Sequence, residues 1–331
     1  MSAEATTALT RAPQKLAKPA GTEPLRINRI DAIGIVAVHL LALLAFVPWF
    51  FSWTGVVVAI LGMYVFGAVG VGLCFHRLLA HRAAICPKWL EHTFAILGVC
   101  AMQDTPARWV ATHRRHHEHA DTQPDPHSPL VHFLWAHMGW LFLRNRELTR
   151  LRIGERYAKD ILRDPFYARL ERRFWWFRIV MISWAAFFIA GFAAELVRGG
   201  SALQALQFGL SLLVWSAFVR TVLVWHITWS INSVTHLWGY RNYETDESSR
   251  NNVILGILGN GEGWHNNHHA HPRSARFGHK WWELDLTWQM IRLLAALGLA
   301  RKVVEPSPHV LAPQTRSRVL PKNSSVQPAS D

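Results

Sequence analysis

Three short histidine clusters carry the chemistry this sequence can do: HRLLAH at 76–81, HRRHH at 113–117 and HNNHH at 265–269. Neutral imidazole is a common metal ligand, and these eight rings exceed the about four to six donors that one ion takes, so the set predicts two metal ions side by side. Residues three and four apart project from nearly one helix face. His113, His116 and His117 therefore form one trident and His265, His268 and His269 another, able to clamp a metal pair from opposite sides. His76 and His81 are five apart, roughly 140° on an ideal helix, so the helix bearing them is expected to bend or end near Leu79. Asn232 and His236, four apart, share a face and add a ninth imidazole and an amide that reaches a metal directly or through water. Carboxylates that fix ring tautomers should sit close by. Glu118, Asp121, Asp125 and Glu262 are the candidates, with Asp125 and Glu262 ranked highest. His119, His127 and His271 flank the boxes as ligands or as supporting or surface residues, and the lone His39, His92 and His309 read as packed or solvated side chains.

The elements that position these boxes are membrane helices. Half of the 331 residues are hydrophobic, only 17% are charged and 17 are Trp, a mixture that suits a bilayer better than water. Residues 32–51 and 54–75 are charge-free and each long enough to cross about 30 Å of hydrocarbon, with a very short link between them. A second pair follows at 179–194 and 202–235, joined by the small turn at 198–201 and led in by Trp175 and Trp176 at interface depth. The expected fold class is all-α integral membrane: four transmembrane helices in two hairpins, with a cytoplasmic helical cap holding the histidine-rich site. A helix over 202–235 would run about 50 Å, beyond the bilayer core, so its end should project from the membrane and carry His236 with it. Arg220, partway along, is expected at the headgroup boundary. The apolar stretches 89–102 and 132–143 are too short to span and are expected to be interfacial.

Net charge is +13, but the basic residues are scattered between apolar runs without a compact basic module, which excludes nucleic acid as the partner and favours an anionic membrane surface. Arg11, Lys15, Lys18, Arg26 and Arg29 precede the first span and Arg is frequent from 76 to 173, whereas the hairpin turns offer only Arg198. That bias places the active site and both termini of this multi-pass protein in the cytoplasm. The three cysteines, with no secretory signal before the first span, predict no disulfide framework and a reducing compartment. Residues 1–25 and 305–331 read as disordered tails flanking one membrane domain at 26–304.

The boxes, with NSVTHLWG at 232–239, GEGWH at 261–265 and the order of the spans, resemble the membrane fatty acyl desaturases of the stearoyl (delta-9) class over about residues 30–300. The resemblance implies a non-haem centre of two Fe ions that uses O2 as co-substrate to place a cis double bond, at delta-9, in a saturated acyl chain. It also implies that His76, His81, His113, His117 and His268 hold one iron, and that His116, His236, His265 and His269 hold the other, with Asn232 linked through water. Gln103, Trp109, Thr228 and Trp229 fall where such enzymes line the bend of the substrate tunnel. One departure stands out: animal acyl-CoA enzymes have an Arg-Asp pair where this chain has Ala111 and Thr112. WVATH at 109–113 and TDESSRN at 245–251 are more similar to bacterial and plastid-type members, some of which act on glycerolipids. Coenzyme A, acyl carrier protein and membrane lipid all stay open as the acyl carrier.

Imidazoles alone suit zinc as well as iron. Two electrons per turnover must come from outside, and the chain has no haem-binding, flavin, CxxC or dinucleotide-binding motif. An external donor is therefore expected, a ferredoxin or a cytochrome-b5-like carrier with its reductase, docked on the Arg-rich cap. Two rival readings are a membrane di-iron fatty acid or lipid hydroxylase, which returns a hydroxyl instead of taking a second hydrogen, and a metal transporter, which should carry its histidines inside the spans.

Overall fold

The computed structural model describes residues 15–306 apart from residue 173, and not the side chains of 150 and 151; most of both expected tails, and His309, lie outside the described residues. The described chain is mostly helical, with one small two-stranded sheet. Four helices are long and apolar enough to cross a bilayer: Arg29–Phe46, Trp53–Ala80, Trp175–Val197 and Ala202–His236. These are the first to fourth spans. Ile33, Leu40, Ile182 and Ile189 are at least 60% exposed. Helices apolar all round with such outward faces belong in lipid, so this is a membrane protein.

Local signals start the helices. Ser52 caps the second span by accepting from the Gly55 amide at 3.0 Å, and Ser201 with Gln204 forms a capping box at the head of the fourth. The third and fourth spans pack closely along small residues: a Cβ on Gly191 would lie 3.0 Å from Gly209 Cα. Gly199, with φ of +85°, makes the turn between them.

The fourth span has 35 residues, more than the roughly 20 that a crossing needs, and the surplus carries Asn232 and His236. Arg220 is fully buried in the helix bundle. Between the second and third spans, the helices Lys88–Cys100 and Pro106–His119 pack against the second span. Lys88–Cys100 meets it where glycines face each other, a Cβ on Gly70 running into the backbone of Gly98. The core around Cys74, Phe75, Leu79, Val99, Val110 and Ala111 fills the space where these three helices converge.

Strand β1 (Thr22–Ile27) pairs antiparallel with β2 (Leu143–Asn145). The expected tail through residue 25 is therefore strand from Thr22 onward, because β2 supplies partners for its backbone and Arg146 pairs with Glu23. His39 is not solitary either: its Nε2 lies 3.1 Å from His226 Nε2, and His226 Nδ1 lies 3.0 Å from His137 Nε2, tying the first span to the fourth.

Candidate metal centre

The second span winds as a π-helix from Met63 to Ala80, and the His81 amide closes on the His76 carbonyl at 3.1 Å. This i to i+5 bond widens the turn and brings the rings of His76 and His81 to 5.0 Å between centroids. The helix thus stops next to Leu79, and its wide winding turns both rings inward. Pro106 starts the helix Pro106–His119 at a position where no amide proton is needed, and His113, His116 and His117 lie toward its far end. His236 ends the fourth span, and His265, His268 and His269 ride on the short helix His265–Ala270.

These nine imidazoles gather into two adjoining groups. His76, His81, His113, His117 and His268 form one, and His116, His236, His265 and His269 the other; in each group the ligand nitrogens lie within 4.8 Å of one another. The groups share a wall, with the rings of His117 and His269 stacked at 4.4 Å. Three outward nitrogens are held by carboxylates: His76 Nδ1 by Glu262, His116 Nδ1 by Asp125 at 3.0 Å and His236 Nδ1 by Asp121 at 3.0 Å. Asp125 and Glu262, ranked first from sequence, sit against imidazoles, whereas Glu118 pairs with Arg156 at 2.8 Å. Asp121 had equal proximity in sequence but no signal marking it out, because its partner is 115 positions away. Arg77, fully buried, steadies Glu262 at 3.1 Å and Asp285 at 2.9 Å, and Glu247 comes within 3.7 Å of His269 Nδ1. Neither Arg77 nor Glu247 figured among the sequence candidates.

The inward nitrogens fit a pair of cations. A ring that donates Nδ1–H to a carboxylate presents a bare lone pair at Nε2. His76 Nε2 faces His268 Nε2 at 3.0 Å, His268 Nε2 faces His117 Nε2 at 2.8 Å, and His236 Nε2 faces His265 Nε2 at 3.0 Å. His269 Nε2 is buried without a hydrogen-bond partner. Lone pairs so gathered away from water need positive charge among them, and a soft-to-borderline divalent ion on imidazole nitrogen provides it. Burial also holds His81, His113, His117, His265, His268 and His269 well below the ordinary imidazole range, which keeps them neutral as ligation requires. Burial pushes the Asp125 carboxyl up, but His116 outweighs it; likewise His236, Ser248 and Ser128 hold Asp121 well below the usual carboxylate range. His127 stacks on His116 at 4.4 Å between centroids, while His119 and His271 stand apart from both groups, His271 against Tyr243.

Two cavities meet at this centre. The larger, about 320 Å³, is lined by Gln103, Trp109, Thr228 and Trp229 together with Asp31, Asp104 and Arg108. The smaller, about 70 Å³, is lined by His76, His113, His116 and His265 together with the apolar Val71, Val224, Ile227 and Ile231. Trp109, His113, Thr228 and Asn232 line both. Asn232 therefore stands at the junction of the two cavities. Gln103 donates to Thr228 Oγ1 at 2.8 Å and accepts from the Trp109 indole at 3.3 Å, and Trp109 stacks on His113 at 5.0 Å.

Comparison with known proteins agrees with this geometry. The family model described as fatty acid desaturase matches residues 49–302. The chain is 39% identical over 295 residues to an sn-2 palmitoyl-lipid 9-desaturase of Nostoc sp. (strain 36), covering 88% of this chain and 95% of that one. It is 42% identical over 282 residues to an sn-1 stearoyl-lipid 9-desaturase of Anabaena variabilis, with 85% and 95% covered. It is also 40% identical over 283 residues to an acyl-CoA C20 Delta5-desaturase of Anemone leveillei, with 85% and 84% covered.

Proposed function

The chain belongs to the fatty acid desaturase family, and on that premise we propose that it introduces a cis double bond at carbon 9 of a saturated acyl chain carried on a membrane glycerolipid. The observation that carries this reading is the junction of the two cavities, where Trp109, His113, Thr228 and Asn232 line both. The nine histidines would hold two Fe ions, five nitrogens to one and four to the other, with Asn232 reaching the second through water. Bound there, the irons and O2 supply the oxidising power that an unactivated methylene C–H bond demands. The protein's own part is positioning. Gln103, Thr228 and Trp109 hold the bend by hydrogen bonds, and Glu262, Asp125 and Asp121 keep protons on the outer ring nitrogens. Val71, Val224, Ile227 and Ile231 keep the reacting segment dry.

A glycerolipid is favoured over coenzyme A by the mouth of the larger cavity. Arg108, the cation there, is ion-paired with Asp104 at 3.0 Å and Asp31 at 3.6 Å, so two carboxylates face any polyphosphate that approaches. Thr112 lines that cavity and Ala111 is fully buried, neither offering charge. Balance requires two electrons and two protons from outside, which with the two hydrogens of the chain reduce O2 to two waters. An acidic ferredoxin or cytochrome-b5-like carrier is the donor that the many exposed Arg side chains suit. The same Arg distribution supports a cytoplasmic face for the metal centre and the termini, in a bacterial inner membrane. Expression in a host without its own desaturase, with double bonds located in the total fatty acids, tests the reaction. Loss of two mass units from a fed saturated acid is expected, whereas a gain of sixteen would mark a hydroxylase.

A further inference from the structure

Arg220 has no place in the chemistry above, yet it is a permanently charged group buried completely within a membrane span. Among the described residues no carboxylate pairs with it. Its Nη1 donates to the Cys100 carbonyl at 2.8 Å, its Nε to the Ser216 carbonyl at 3.0 Å, and the guanidinium lies 4.2 Å from the Phe66 ring centroid. Cys100 ends the helix Lys88–Cys100, where the carbonyls lack intrahelical partners and the helix dipole is negative. A cation at that end is matched to it.

The turn that follows is strained. Met102 and Asp104 both occupy the left-handed region, with φ of +56° and +84°, although neither is glycine. Such a conformation persists only where the surroundings over-determine it, and here one face of the fourth span grips the turn residue by residue. Arg220 takes the Cys100 carbonyl, the Trp225 indole takes the carbonyls of Ala101 at 2.9 Å and Met102 at 3.0 Å, and Thr228 accepts from the Gln103 amide at 2.8 Å. The next link is Gln103 to Trp109, which stacks on His113. An unbroken set of contacts therefore runs from the buried arginine to the bend of the acyl passage.

We propose that Arg220 is a positioning residue which, through the Cys100–Gln103 turn, sets which carbon pair of the acyl chain stops at the metal centre. The inference rests on the desaturase reading. Removing the grip lets the turn relax, Gln103 shift and the chain slide in register. A small misplacement far from the reacting atoms is enough to redirect or slow the reaction.

The test uses the full-length, metal-loaded enzyme in membranes and reads the positions of the double bonds per unsaturated product, not only its amount. Arg220→Lys keeps the charge but replaces a planar fork by a single ammonium, and Trp225→Phe removes the neighbouring donor to the same turn. Both are expected to raise the fraction of neighbouring positional isomers at least tenfold over wild type. A merely structural role would lower protein yield and turnover while leaving the isomer ratio untouched, and that result in both variants would overturn the proposal. Trp225 also lines the larger cavity, so its variant is read only beside an Arg220 variant; if Arg220→Lys is not recovered folded, Arg220→Gln, which keeps an amide donor toward the Cys100 carbonyl, replaces it and its isomer ratio decides. A wild-type chain that yields no unsaturated product at all would instead overturn the desaturase reading, and this inference with it.

Discussion

His236 donates from Nδ1 to a carboxylate oxygen of Asp121 at 3.0 Å, and both side chains are buried. The same carboxylate also accepts from the Ser248 amide at 2.9 Å and, through its other oxygen, from Ser128 at 2.7 Å, so it is itself fixed in place. A ring so held presents one tautomer to the four-histidine group. Asp121→Asn removes the charge while keeping the shape. It should lower metal affinity of that group about 10- to 100-fold, the usual cost of losing such a support. Metal content after dialysis against graded chelator checks this, and unchanged retention would count against a ligand role for His236.

The five-histidine group makes a sharper prediction. His113 touches His81, with Nε2 atoms 2.8 Å apart, and lines both cavities, so His113→Ala should leave an inserted protein with reduced metal content and no detectable unsaturated product. His269→Ala should do the same from the second group. Insertion is checked by membrane fractionation beside metal analysis. Near-normal product from either variant would remove that histidine from the ligand set.

Much of this centre is legible locally, and what is not depends on distant approach. The two HxxHH tridents follow from helical spacing, and the four spans from length and apolarity alone. The pairing of His76 with His81 is half legible: an end near Leu79 follows from a five-residue spacing that an α-helix cannot face inward, but the π-winding that turns both rings is a tertiary outcome. Asp121 and Arg77 find their partners 115 and 208 positions away, through His236 and Asp285. The partner of Arg220, the end of Lys88–Cys100, is 120 positions away and has no signal in the sequence. The strand at Thr22 has no signal in a Pro-containing TEPLRI segment; only its partner strand creates it.

Close helix packing sets the position of His76, six residues after Gly70. A methyl group on Gly98 would lie 2.8 Å from the Gly70 carbonyl oxygen and 2.5 Å from the Phe75 ring, both of which sit in packed surroundings. Gly98→Ala is therefore expected to destabilise the protein by about 1–3 kcal/mol through overpacking, and to reduce activity as the second span moves. Gly34→Ala, inside a helix where a Cβ meets nothing within 4 Å, is the control and should leave the melting temperature unchanged or slightly raised. Thermal unfolding in detergent compares the two, and equal melting temperatures would mean that the crossing tolerates more separation than the geometry allows.

Acid should destabilise the protein in part through His279. His279 is buried, with Nδ1 accepting from the Tyr243 hydroxyl at 2.7 Å and Nε2–H donating to the Arg276 carbonyl at 3.1 Å. Burial lowers its pKa to about 4 from the ordinary 6.5, against the opposing pull of the Arg276 carbonyl and Glu283. A histidine depressed in the folded state binds its proton first in the unfolded chain. Its contribution is therefore complete above pH 6.5, is lost progressively as pH falls from 6.5 toward 4, and amounts to about 3 kcal/mol over that window. His279→Gln cannot take up this proton. It should be less stable than wild type at pH 7.5 yet lose less stability on acidification to pH 4.5, so the gap between their melting temperatures narrows. Protonation of the metal-facing rings affects both proteins alike and cancels in the difference. A gap that stays constant across that range would mean that His279 is not the group that titrates.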